Sequence, residues 1–211
     1  MTATVFNHSF PHRWQAEVLA ARPVILPARH FVYPRQAEEV ERGALEVLIR
    51  PETPGAPGPD FGTWETTPLQ PTYLAKPFLA TCALGFRDPV VPTGIWSAPK
   101  PEEICAVSGG YAYIIDTTAP ERFTMIPYRP VLEVRPAVGE GLLLFVGNRS
   151  ILAWGRDGQA WESEKLSDEG VTITSIEADI LRGLGWEMRT DKETPFALDL
   201  RSGQRVLPAR A

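Results

Sequence analysis

The chain has 211 residues, 44% hydrophobic and 22% charged, with a formal net charge of -5. That is room for one large domain or two small ones, with a core that needs no disulfide or metal staple. A mildly acidic balance with both signs dispersed gives no electrostatic reason to bind nucleic acid or an anionic membrane, so neither is expected as a partner. Two cysteines, Cys82 and Cys105, are too few for a secreted disulfide framework and read first as small buried residues. The N-terminal MTATVFNHSFPHRW lacks the basic start and apolar run of a signal peptide, and no apolar run is long enough to span a membrane. A cytoplasmic location is the expectation.

In chain order, Trp14 to Ala21 (WQAEVLAA) has the composition of two helical turns, ended by Pro23. Val24–Leu26 and His30–Tyr33 are each closed by a proline, and such punctuation predicts extended pieces lying across a core. All three histidines fall here: His8, His12 and His30. A His-x3-His pair chelates metal on a helix, but Pro11 interrupts His8 and His12 and no Asp, Glu or Cys completes a set nearby. No metal site and no cofactor are expected.

Arg35–Arg42 has helical composition with acidic residues early and Gly43 as a stop. Ala44–Arg50 alternates, with Leu45, Val47 and Ile49 on one face, and predicts a strand. Residues 51–72 carry six prolines and three glycines and read as a long surface loop. Phe61 and Trp64 inside it are expected to pack the loop down or to line a partner surface. Phe78–Phe86 is nearly uncharged and belongs in the core. Trp96 closes a proline-punctuated stretch and needs a cover.

From Ile104 the rhythm is that of strands and turns. Ile104–Asp116 predicts a hairpin turning at Ser108-Gly109-Gly110, followed by RFTMI and VLEVR. Later turns fall at Gly147–Ser150, Arg156–Gly158, Asp168–Gly170, Glu177–Asp179 and Arg201–Gly203, at the spacing of an antiparallel all-β domain. In VTITSI, alternation places Val171, Ile173 and Ser175 on one side, and Thr172, Thr174 and Ile176 on the other. Trp154 and Trp161 flank one turn and are predicted cross-strand neighbours.

The residues Asp157-Gly158-Gln159-Ala160-Trp161 resemble the D-G-x-x-W step of propeller-blade repeats. Phe196–Gly203 (FALDLRSG) is similar to the strand and turn of pyrroloquinoline-quinone-type repeats. Residues 142–203 therefore look like a β-meander of blade type, and the resemblance implies antiparallel sheet and no particular ligand.

Catalytic patterns are sparse. Phosphate-binding glycine loops, the G-x-S-x-G elbow, H-E-x-x-H and C-x-x-C do not occur. Ser108 reads as a turn residue before a nucleophile. Asp116, Glu133, Glu162, Glu164, Asp179, Glu187 and Asp199 lie in or beside predicted strands, where two that converged could act as a glycosidase pair. Solvent-facing strands carry as many without catalysis, and Asp199 reads as a turn-bonding carboxylate. Six tryptophans offer a sugar or peptide surface, or simply core.

The expectation is an all-β protein of mainly antiparallel sheets, blade-like or sandwich-like, with at most short helices near the N-terminus. It is read as one domain, 1–211, with an irregular part (1–72) packed on a β-rich part (73–211). The leading functional expectation is a non-catalytic module binding a protein or small molecule. The rival is a hydrolase using strand-borne carboxylates on a small or saccharide substrate. No catalytic or binding residue is assigned.

Overall fold

The computed structural model describes residues 4–35, 42–52 and 76–206. The fold is all-β, in four sheets. An N-terminal sheet holds β2 (Trp14–Leu19), β3 (His30–Tyr33), β4 (Ala44–Pro51) and β5 (Phe78–Ala83), in the order β2-β4-β5-β3. Three meanders follow in chain order. The first is β6 (Gly94–Ser97), β7 (Glu103–Ser108), β8 (Tyr111–Asp116) and β9 (Phe123–Met125), with β1 (Val5–Asn7) added parallel to β6. The second is β10 (Glu133–Ala137), β11 (Leu142–Val146), β12 (Ile151–Gly155) and β13 (Gly158–Glu162). The third is β14 (Val171–Glu177), β15 (Ile180–Glu187) and β16 (Lys192–Asp199).

Three cores lie between successive sheets. Leu45, Val47, Ile49, Phe78 and Cys82 of the N-terminal sheet pack on Ile95, Ile104, Ala106, Tyr113 and Ile115. Cys105, Val107, Ala112 and Ile114, from the other face of the first meander, pack on Leu143, Phe145, Leu152 and Trp154. Leu142, Leu144, Val146, Ile151 and Ala153 then pack on Val171, Ile173, Leu181, Phe196 and Leu198. The middle sheets are thus buried on both faces. That is why β7, β8 and β11 read as nearly unbroken apolar runs, since each alternate residue serves a different core. Tight turns make the meanders local. Gly109 and Gly110 hold φ of +55° and +75°, the pair of left-handed conformations that a two-residue hairpin needs.

Several expectations are corrected. Trp14–Leu19 is strand, not helix: Trp14, Ala16 and Val18 share one face against the core, a period of two. The helical composition of Gln, Ala, Glu and Leu is overridden by pairing with β4. Val24 and Ile25 do not lie across a core but stand in solvent. Residues 142–203 divide between two sheets, the break falling between β13 and β14. Trp154 and Trp161 are not partners: Trp161 pairs Ala153, a bulge intervenes, and the two indoles enter different cores. A second bulge, between Ile173 and Ser175, resets the alternation of β14, so Ile176 turns to the core side. The helix expected over Arg35–Arg42, the loop 51–72 and its Phe61 and Trp64 fall largely or wholly outside the described residues.

A strand is observed for Ala44–Arg50, with Pro51 added, and for Phe78–Ala83. Trp96 is covered by the second core. Among the described residues no helix is long and apolar enough to cross a membrane.

A cleft with paired carboxylates between the first two meanders

The β7/β8 hairpin sets the geometry. Counting outward from its two-residue turn, Ser108 meets Tyr111 and Glu103 meets Asp116. Glu103 and Asp116 therefore share one face, continuous with Cys105, Val107, Ala112 and Ile114. Where that face runs out of core, the two carboxylates line a cleft of about 510 Å³. Ile114, Phe123 and Trp154 form its apolar wall, and Lys100, Glu121, Arg122 and Thr124 its polar rim.

Both acids are held. Glu103 accepts from the Trp154 indole N–H at 3.1 Å and from Lys100 Nζ at 3.4 Å. Its main-chain carbonyl accepts the Trp14 indole N–H at 3.0 Å, so two tryptophans from different sheets fix this one residue. Asp116 is buried, at 7% exposure. Oδ1 accepts from the Thr118 N–H (2.9 Å), the Thr118 hydroxyl (2.6 Å) and the Ala119 N–H (3.2 Å), and Oδ2 from Arg122 at 2.7 Å. Burial alone would raise its pKa, but the Thr118 bonds, the Arg122 charge and the Ala119 N–H outweigh it and hold the carboxyl below its ordinary value. The cleft thus presents two hydrogen-bonded carboxylates, Asp116 held toward its charged form, beside Lys100 and Arg122.

The other strand-borne acids do not converge there. Glu133 pairs with Arg135 at 2.6 Å, and Glu162 accepts from Tyr128 at 2.9 Å. Glu164 pairs with Arg205, and Asp179 sits in the β14/β15 turn. Asp199 Oδ1 accepts from the Arg201 and Ser202 N–H groups and the Ser202 hydroxyl, the turn-bonding role expected of it. Glu187 and Asp168 line a second, smaller cavity of about 260 Å³ with Lys165, Trp186 and Arg205. Hydrogen bonds from Lys165 and the Met188 N–H keep Asp168 below its usual carboxylate range.

A separate polar cluster lies on the face of the N-terminal sheet turned away from the meanders. Glu46 and Thr81, both buried, are joined by a 2.6 Å bond from the Thr81 hydroxyl to Glu46 Oε2. His30 Nε2 sits 2.8 Å from Thr81 Oγ1. Arg22 Nη2 also lies 3.4 Å from the same His30 Nε2. Arg22 approaches Glu46 at 3.9 Å.

Cys82 and Cys105 are free thiols, each fully buried. They face different cores, so the first meander stands between them. Burial pushes both thiols well above their usual pKa, which removes them as nucleophiles. Ser108 is buried at its turn, as read. Among the described residues no group of three or more His, Cys, Asp or Glu converges as for a metal ion. Of the cleft's charged residues only Asp116 was singled out from sequence. Glu103, Lys100 and Arg122 were missed, although the two-residue turn already determines that Glu103 opposes Asp116. No protein-family model matches the chain, and no curated protein matches it.

Proposed function

We propose that this chain is a non-catalytic binding module that takes a small polyhydroxylated ligand in the cleft of Glu103, Asp116 and Trp154. One observation carries the reading: both carboxylates are bonded by donors of the protein itself, Glu103 by Trp154 and Lys100 and Asp116 by Thr118, Ala119 and Arg122. A glycosidase needs one of its two acids held protonated to donate to the leaving oxygen. Asp116 is shifted the opposite way, by donors that favour its charged form. Fixed acceptors beside Lys100 and Arg122 suit the hydroxyl groups of a saccharide, and the Ile114, Phe123 and Trp154 wall suits its ring carbons. Rigid, prepaired side chains lower the ordering cost of binding.

The test is a two-dimensional NMR titration with neutral mono- and disaccharides, run beside chromogenic glycosides of the same sugars. Saturable shifts confined to residues 100–124 and 154, lost in Phe123→Ala and Lys100→Ala, with no turnover, support the module. Turnover by the native chain that disappears in Glu103→Gln would establish the hydrolase instead. Shifts unchanged in both cleft variants would sink the cleft as the site.

A further inference from the structure

We propose that His8 and His12 form a two-histidine site for a borderline divalent ion, Cu2+ in preference to Zn2+. Pro11 rules out the helical route by which a His-x3-His pair usually chelates. The loop between β1 and β2 supplies another. It folds back so that His8 Nδ1 stands 3.1 Å from His12 Nε2, with ring centroids 4.7 Å apart and planes at 39°. Two nitrogens that each lie about 2.0–2.1 Å from one ion, at adjacent positions of a tetrahedral or octahedral shell, are separated by roughly 2.9–3.4 Å. The observed spacing falls within that window.

The pair is built onto rigid structure. Phe10, between the histidines, is 4% exposed and packs in the second core. Its N–H donates to the buried Ser97 hydroxyl at 2.9 Å. Its carbonyl lies 3.0 Å from His12 Nδ1. A carbonyl only accepts, so Nδ1 carries the His12 proton and the Nε2 lone pair of His12 accepts a hydrogen bond from His8 Nδ1–H. An ion between the two takes the place of that shared proton, which moves to Nε2 of His8. A ring N–H given to a backbone carbonyl is the support that metal-bound histidines ordinarily have. Behind both rings lies Trp14, 1% exposed, with centroids 4.5 Å from His12 and 5.7 Å from His8. The indole is itself tied to the Glu103 carbonyl. His8 is exposed, which leaves a path for the ion and room for water to complete its shell.

The donor set selects the metal. Two imidazoles, with no carboxylate cluster beside them among the described residues, disfavour Ca2+ and Mg2+, which take oxygen ligands. Nitrogen sites of this kind follow the order in which Cu2+ exceeds Ni2+ and Zn2+.

The test uses the full chain, titrated calorimetrically with Cu2+ and with Zn2+ in a non-coordinating buffer at neutral pH. One equivalent of Cu2+ is expected, with Kd on the order of 10 μM or tighter, and weaker Zn2+. Electron paramagnetic resonance of the Cu2+ complex should show nitrogen coordination. His8→Asn and His12→Asn should each weaken binding about tenfold or more. His30→Asn, at the third histidine, should leave it unchanged. Both ligand positions are at or near the surface, and circular dichroism of each variant confirms its fold. An unaltered isotherm in the double variant His8→Asn/His12→Asn, or no saturable site below about 1 mM, overturns the proposal.

Discussion

The meanders and the N-terminal sheet are both built from short apolar strands, yet they are assembled by opposite rules. In the meanders every strand pairs with its neighbour in sequence, through turns as short as Gly109-Gly110. In the N-terminal sheet β2 pairs with β4 and β3 runs parallel to β5, each skipping a strand, and only β4 and β5 pair as successive strands, across residues 52–77. The two also differ in how they treat their outer surfaces. The first two meanders are covered by core on both sides, whereas the N-terminal sheet carries the Glu46, Thr81 and His30 network on its second face. Local pairing with two apolar faces gives stability that a sequence displays openly. Long-range pairing with one polar face gives stability that depends on a few buried hydrogen bonds.

The largest effect expected from this contrast is at Phe145 in β11. Its ring is fully buried between the first two meanders, while its neighbours Leu144 and Val146 serve the next core. Phe145→Ala should cost about 3–5 kcal/mol in urea unfolding, enough to leave little of the native state. A loss below about 1 kcal/mol would mean that the two interfaces of this sheet do not depend on each other.

Next in size is the polar face of the N-terminal sheet. Glu46→Ala leaves the buried Thr81 hydroxyl without its acceptor and removes the carboxylate that Arg22 approaches. A loss of about 1–3 kcal/mol is expected. It should exceed the effect of Glu17→Ala on the exposed face of β2, where the Arg50 pair is solvated. Equal effects at the two sites would remove the network as a distinguishing feature.

These differences explain what could be read from sequence. The β7/β8 hairpin was legible because its turn and its alternation are local. The same information determines that Glu103 opposes Asp116, although the hairpin expected from sequence begins at Ile104 and leaves that pairing undrawn. β2 was misread because its strand partner lies some thirty residues on, and nothing local outweighs the helical composition of WQAEVL. The bulges at Ala153/Trp154 and Ile173/Ser175 were invisible, since one inserted residue changes which face a side chain takes without changing composition. His8 and His12 were visible as a pair. Their approach was not, because it depends on Phe10 entering a core and on a carbonyl that no spacing rule counts.

A smaller effect should appear with pH. Burial and the nearby Arg22 charge lower the pKa of His30 from its ordinary 6.5, with Glu46 opposing. The unfolded chain therefore binds this proton more readily than the folded one. The stabilisation is complete above pH 6.5 and is lost as pH falls from there toward the folded pKa. Unfolding midpoints measured from pH 7.5 down to 5 should decline, and His30→Asn should flatten part of that decline. An identical slope in the variant would show that His30 contributes nothing to it.

The smallest effect lies where the two halves meet. Ser108 ends β7 on the side of Ile104 and Ala106, facing the N-terminal sheet. Its hydroxyl is buried and has no hydrogen-bond partner among the described residues. A hydroxyl removed from water without compensation is destabilising, and deleting it leaves only a small void where a methyl already fits. Ser108→Ala should therefore be neutral or stabilising by up to about 1 kcal/mol. The same change at Ser97, whose hydroxyl accepts the Phe10 N–H, should destabilise by about 0.5–1.5 kcal/mol. Opposite signs at two buried serines of one sheet would tie the outcome to hydrogen-bond state rather than burial. A loss above about 1 kcal/mol in Ser108→Ala would instead mean that its hydroxyl is bonded, and that the junction of the two halves is polar where the apolar packing of Ile104, Ala106 and Tyr113 places it dry.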